Sequence, residues 1–101
     1  MDEHWEHESH GSAKITPEKP STYFKRQCWV SCEAGEELVP AFVEHVGNDY
    51  LTMATDYPHS DCIGKFPDLT VGALSSNENL SNETRRKILW DNPARMFGLG
   101  A

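Results

Sequence analysis

With 101 residues, a net charge of −7 and 38% hydrophobic residues, the chain has room for one small domain and carries no basic excess. That balance argues against a nucleic-acid or anionic-membrane partner, and the cations fall in short groups, Lys25-Arg26 and Arg85-Arg86-Lys87, that read as solvated faces. Three cysteines (Cys28, Cys32 and Cys62) without a C-x-x-C pair point to free thiols in a reducing, cytoplasmic setting, and no apolar run approaches the length that crosses a bilayer.

The acidic start, MDEHWEHESH, has neither the positive nor the apolar region of a signal peptide. It holds Trp5 and three histidines, His4, His7 and His10, spaced i, i+3 and i+6. On a helix these spread over about a third of the circumference, so two could share a metal ion while three would strain; a solvated acidic helix is the plainer expectation. Gly11, Ser12, Pro17 and Pro20 then discourage regular structure, and Gly11 to Thr22 reads as a linker or extended loop. The expected division is a polar N-terminal helix and linker over 1–22 and a folded portion over 23–101.

Gln27 to Cys32, QCWVSC, combines an aromatic with a β-branched residue in a run of buried-strand length. On such a strand Cys28 and Cys32 share a face and pack as small apolar residues. Glu36-Glu37 suit a helix N-terminus, and Leu38, Val39, Phe42, Val43 and Val46 recur at three- and four-residue spacing. Pro40 confines the helix start to the first turn, Gly47 is the stop signal, and Asn48-Asp49 turns the chain. Strand, amphipathic helix and strand joined by short turns make a right-handed parallel βαβ unit.

The second strand opens the stretch Tyr50 to Asp61, YLTMATDYPHSD. Leu51, Met53 and Ala54 suit a buried strand, and Tyr57-Pro58 stops both helix and ladder, so Asp56 falls at the strand's C-terminal end. A carboxylate there can ligate a divalent metal or take a proton from a metal-bound water, with His59 three residues on. The plainer alternative is an aspartate capping a turn that Tyr57-Pro58 shapes. A loop to about Phe66 precedes a helix opened by Pro67-Asp68 and carrying Leu69, Val71, Ala73 and Leu74.

Ser75 to Asn79 is a polar break, after which Ser81 is the expected N-cap of a helix with Thr84, Ile88 and Leu89 inward, closing near Trp90. Asp91 or Asn92 should cap a last helix, with Pro93 at its first position, Met96 and Phe97 inward and Gly98 as its end. The triplets Asn79-Leu80-Ser81 and Asn82-Glu83-Thr84 read as helix-entry chemistry rather than glycosylation sites.

Three segments, PSTYFKRQCWVSCEAGEELVPAFVEHVGNDYL, MATDYPHSD and RRKILWDNPARMFGL, resemble the C-terminal part of the amidohydrolase-related metal-dependent hydrolases. That family also contains decarboxylases acting on aromatic and related unsaturated acids. The specific feature is a DYPH turn followed at a distance by DN-x-AR-x-(F/Y)GL, and the similarity runs from about Pro20 to Leu99. The resemblance implies an α/β fold: the last two βα units plus C-terminal helices of a (β/α)8 TIM barrel, incomplete as given, with Gln27 to Cys32 the seventh strand and Tyr50 to Thr55 the eighth. Asp56 then matches the family's aspartate at the end of the last strand, a metal ligand or the base that activates metal-bound water, and His59 and Asp61 help to form the substrate mouth.

No His-x-His pair and no earlier strand-borne histidine accompanies that aspartate, and His4, His7 and His10 lie in the polar segment instead. The resemblance therefore implies a fragment of a metal-dependent hydrolase or carboxy-lyase that uses a divalent metal, zinc foremost, and a small-molecule substrate in the complete enzyme. The isolated chain is then expected to be inactive. A reading from a different class is a non-catalytic interaction module or split-barrel subunit, pairing its open sheet edges in a homo-oligomer or with a partner chain.

Overall fold

The computed structural model describes residues 1–8, 16–33, 35–59 and 68–100. Its elements in chain order are helices α1 (Asp2–Glu8) and α2 (Pro20–Gln27), strand β1 (Val30–Cys32), helix α3 (Val39–Val46), strand β2 (Leu51–Met53), and helices α4 (Ala73–Ser75), α5 (Asn82–Arg86) and α6 (Asn92–Met96). A π-helical turn, Asp68–Gly72, leads into α4, and another, Lys87–Asp91, joins α5 to α6.

β1 and β2 pair in parallel, with Val30 opposite Leu51, Ser31 opposite Thr52 and Cys32 opposite Met53. The ladder opens where the Val30 N–H donates to the Tyr50 carbonyl at 2.8 Å and closes where the Ala54 N–H donates to the Cys32 carbonyl at 3.0 Å. α3 is the crossover, as the apolar spacing predicts. Its stop is Gly47, whose φ of +108° suits only glycine and whose N–H donates to the Val43 carbonyl at 2.9 Å.

Both strands are shorter than the sequence suggests, and for β1 the cause is α2. That helix begins at Pro20, inside the stretch expected to be a linker, because proline is preorganised for a first helical turn. It runs to Gln27, and the Cys28 N–H still bonds the Phe24 carbonyl at 2.9 Å. Cys28 is thus the helix's C-terminal cap, exposed, and does not share a packed face with Cys32, which is buried. At the other end α1 is tied to α2: Asp2 accepts hydrogen bonds from the Ser21 N–H at 2.9 Å and the Ser21 hydroxyl at 2.6 Å, and Glu6 pairs with Lys19 at 2.7 Å.

The core is Cys32, Val39, Leu51, Leu74, Leu80 and Ile88, with Val30, Phe42, Val43, Met53 and Leu89 packed around it. Leu38 stands outside, 77% exposed, because the helix begins one residue later with Pro40 in its first turn. Ser81 caps α5 as expected, its hydroxyl accepting the Thr84 N–H at 3.0 Å.

The expected break between the last two helices is absent. Asp91 and Asn92 both have right-handed helical dihedrals, and the Asn92 N–H reaches back five residues to the Lys87 carbonyl. This π turn carries the helical run past Pro93, whose missing N–H would interrupt an ordinary α-helical ladder. The inward position of the turn is taken by Asn92, 1% exposed, while Met96 at 44% and Phe97 at 71% face outward, contrary to the sequence expectation. Among the described residues no helix is long and apolar enough to cross a membrane.

Candidate functional site

In a parallel pair both strands leave the sheet at the same end, so the residues after Cys32 and after Met53 emerge side by side. After the last ladder bond, at Ala54, the β2 chain turns sharply. Asp56 has φ of +56°, the left-handed region that aspartate tolerates better than bulky or β-branched residues, and the Tyr57-Pro58 peptide is cis. The turn is closed by the His59 N–H donating to the Asp56 carbonyl at 2.8 Å and steadied by the Tyr57 N–H donating to the Thr55 hydroxyl at 3.3 Å.

This turn brings Asp56 and His59 together, as their three-residue spacing suggests. His59 Nδ1 lies 3.9 Å from Asp56 Oδ2, and both side chains are well exposed, at 57% and 69%. A protonated imidazole at that distance is an ion-pair partner. A neutral one is within reach of a proton on the carboxylate after a small rotation. The main chain of the same four residues also fits the turn-shaping alternative, so the local geometry accommodates either role for the aspartate.

At the exit of β1, Glu33 and Glu36 form their own turn, the Glu33 N–H donating to Glu36 Oε2 at 2.9 Å and the Glu36 N–H to the Glu33 carbonyl at 3.2 Å. Burial, and then the nearby Glu36 carboxylate, push the Cys32 thiol up from its ordinary range, which suits an inert packing residue. No group of three His, Cys, Asp or Glu side chains able to hold a metal ion forms among the described residues. A catalytic divalent ion held by about three protein ligands therefore does not find them in this set, where Asp56 and His59 offer two donors at most. Asp61 and His10 lie outside the described residues, as do Cys62 and the loop to Phe66. His4 and His7 sit on α1, remote in sequence from this turn.

The opposite, N-terminal end of the sheet holds polar residues whose structural weight the sequence reading missed. Asn92 Nδ2 donates to the Asn48 carbonyl at 2.8 Å and to the Leu51 carbonyl at 2.7 Å. Lys87 donates to Asp49 Oδ1 at 2.9 Å and to Asn48 Oδ1 at 3.0 Å, and Asn48 Nδ2 donates to the Thr84 hydroxyl at 2.9 Å. Arg95 lies over the Trp29 ring at 4.9 Å and donates to the Asp49 carbonyl. The signal was present in the DN-x-AR segment, whose Asn and Arg are the residues that reach back to the start of β2.

A family model described as amidohydrolase matches residues 6–99. No match to the chain was found among curated proteins or among solved structures.

Proposed function

Because the chain belongs to the amidohydrolase family, we propose that its two βα units are part of the barrel of a metal-dependent hydrolase or carboxy-lyase, with Asp56 as the site carboxylate. In this reading β1 and β2 are the seventh and eighth strands, residues 23–101 belong to the barrel, and residues 1–22 precede it. The observation that carries the reading is the position of Asp56: it follows a strand with a parallel neighbour, at the end of the sheet where barrel enzymes keep their chemistry. His59 and Asp61 flank the substrate mouth.

The family usually works with a divalent metal. An aspartate carboxylate suits such an ion, and zinc is the first choice where imidazole ligands accompany it. The remaining ligands have to come from outside the two strands, from the same polypeptide or from a partner chain. What this chain's own residues do is narrower: Asp56 accepts or returns a proton at Oδ2, and His59, 3.9 Å away, flanks it. A small-molecule substrate and a cytoplasmic location complete the proposal.

The test is Asp56→Asn in the assembled enzyme, read by turnover, bound metal and urea midpoint together. Turnover should fall by roughly 10²-fold or more, the loss expected when a positioned proton acceptor is removed. The midpoint should hold, because the side chain is 69% exposed. A wild-type rate in Asp56→Asn would rule out its assigned role.

A second reading rests on a different observation. Among the described residues each strand is paired with a strand on one side only, which leaves ladder groups on the outer edge of β1 and, apart from the Leu51 carbonyl that Asn92 occupies, on that of β2. A non-catalytic module that pairs those edges with its own copy or another chain would associate without retaining a divalent ion. Sedimentation and metal analysis of the same sample separate the two readings.

A further inference from the structure

At the end of the sheet away from Asp56, the segments that lead into the two strands enclose a cleft of about 340 Å³. Lys25 and Arg26 reach it from the last turn of α2, Arg95 from α6, and Trp29 and Tyr50 wall it from just ahead of β1 and β2. Three cations from two distant segments thus converge on a chain whose net charge is −7. The dipole of α2 accounts for Lys25 and Arg26 at its C-terminus, but not for Arg95, which arrives from another element.

The two guanidinium groups are set in place rather than used up. Arg95 is stacked on Trp29 at 4.9 Å and donates to the Asp49 carbonyl. Arg26 is stacked on Tyr23 at 5.0 Å and donates one N–H to Glu18 at 2.9 Å. A guanidinium carries five N–H donors in a rigid fork, so each arginine retains donors for a further acceptor. The carboxylate of Asp49 also lines the cleft as an anion, with Lys87 bound to it at 2.9 Å and Arg95 near enough to favour its ionised form. Arg26 is ion-paired with Glu18, which is not part of the lining, so the lining itself carries the three cations Lys25, Arg26 and Arg95 against the one carboxylate of Asp49.

We propose that this cleft binds a small organic polyanion, phosphorylated or polycarboxylate, clamped by Lys25, Arg26 and Arg95 against the Trp29 and Tyr50 rings. Its volume is at the small end of the range for ligand sites, which limits the ligand to a compact molecule. Forked donors favour oxyanions. The site is independent of the Asp56 chemistry, because it lies before the strands rather than after them.

The probes are pyrophosphate and citrate, titrated separately into the full 101-residue chain and followed by backbone amide and indole N–H NMR signals. Each supporting result is a saturable shift confined to Lys25–Tyr50 cleft residues and Arg95. Tighter pyrophosphate assigns a phosphorylated ligand and tighter citrate a polycarboxylate. The double variant Lys25→Ala, Arg26→Ala removes exposed side chains only, so it should keep the spectrum of the core and weaken binding about tenfold or more.

Cys28 lines the same cleft, so its alkylation by a neutral haloacetamide should slow several-fold at saturating probe. The proposal is overturned by the absence of a saturable shift with either probe, or by shifts that the double variant leaves unchanged. Equal shifts at Arg85–Lys87, or undiminished alkylation of Cys28, place any binding elsewhere and overturn it as well.

Discussion

Asn92→Ala tests the tie between the C-terminal helices and β2. Asn92 is 1% exposed, and its Nδ2 satisfies the carbonyls of Asn48 and Leu51 at 2.8 and 2.7 Å. Its Oδ1 finds no partner among the described residues. Removing the amide strands two carbonyls near the buried Leu51, at about 1–3 kcal/mol apiece if water does not reach them. Relief of the unpartnered Oδ1 offsets about 1 kcal/mol of this, which leaves a destabilisation of roughly 1–5 kcal/mol. Against the roughly 5–15 kcal/mol available to a domain of this size, that is a large share.

Urea unfolding followed by far-UV circular dichroism should show a clear fall in midpoint at constant slope. Asn92→Asp sharpens the test, because at neutral pH it places a charged acceptor against two carbonyl acceptors. Its folded pKa is then raised above the unfolded value, so the native contribution is present below the unfolded pKa and lost as pH rises through the folded one. Asn92→Asp should therefore be the worse variant at neutral pH and recover toward Asn92→Ala in acid. A midpoint change worth less than about 0.5 kcal/mol for Asn92→Ala would refute the reasoning, since that is the range of an ordinary surface substitution.

Ser81→Ala removes the hydroxyl that accepts the Thr84 N–H at 3.0 Å and should cost about 1 kcal/mol in the same urea assay, with Ser81→Asp restoring most of it. An unchanged midpoint would mean that the cap carries no weight. The Asp49 carboxyl is held below its ordinary range by the Lys87 hydrogen bond at 2.9 Å. Its contribution is thus present above the unfolded pKa and lost as pH falls through the folded one. Lys87→Met should flatten the acid-side fall of the urea midpoint, and an identical acid limb in that variant would count against the pair.

The order of elements from β1 to α5 was readable because each signal is local. Three- and four-residue apolar spacing marks α3, Gly47 ends it at a dihedral that other residues resist, and Ser81 caps α5 with its own side chain. Asp56 was placed at the end of β2 by the same kind of signal, an apolar run stopped by Tyr57-Pro58. What was misread depended on competition between neighbours. Cys28 looked like a strand residue until α2 extended over it from Pro20, and Asn92 looked like a helix cap because Pro93 follows it. Only the tertiary contact of Asn92 with the start of β2 shows why the chain continues through that proline as a π turn and turns Met96 and Phe97 outward. The candidate site was legible only as far as Asp56 and His59, because any further ligand of the proposed site would come from strands other than these two.

The two ends of the sheet differ in how they are held, and this bears on where function can sit. Ahead of β2, side chains of Thr84, Lys87, Asn92 and Arg95 bond Asn48, Asp49 or Leu51, so that end is fixed by contacts distant in sequence. Beyond β2, the Asp56 turn contains bonds between residues two and three apart, and the Asp56, Tyr57 and His59 side chains are exposed. The exposed carboxylate is thereby open to the groups that the proposed barrel would bring from other strands, while the opposite end is tied to the helices. The division also explains why substitutions at Asn92 and at Asp56 should act through different quantities, the first through unfolding free energy and the second through turnover. In the double variant the urea midpoint should therefore follow Asn92→Ala and the turnover Asp56→Asn.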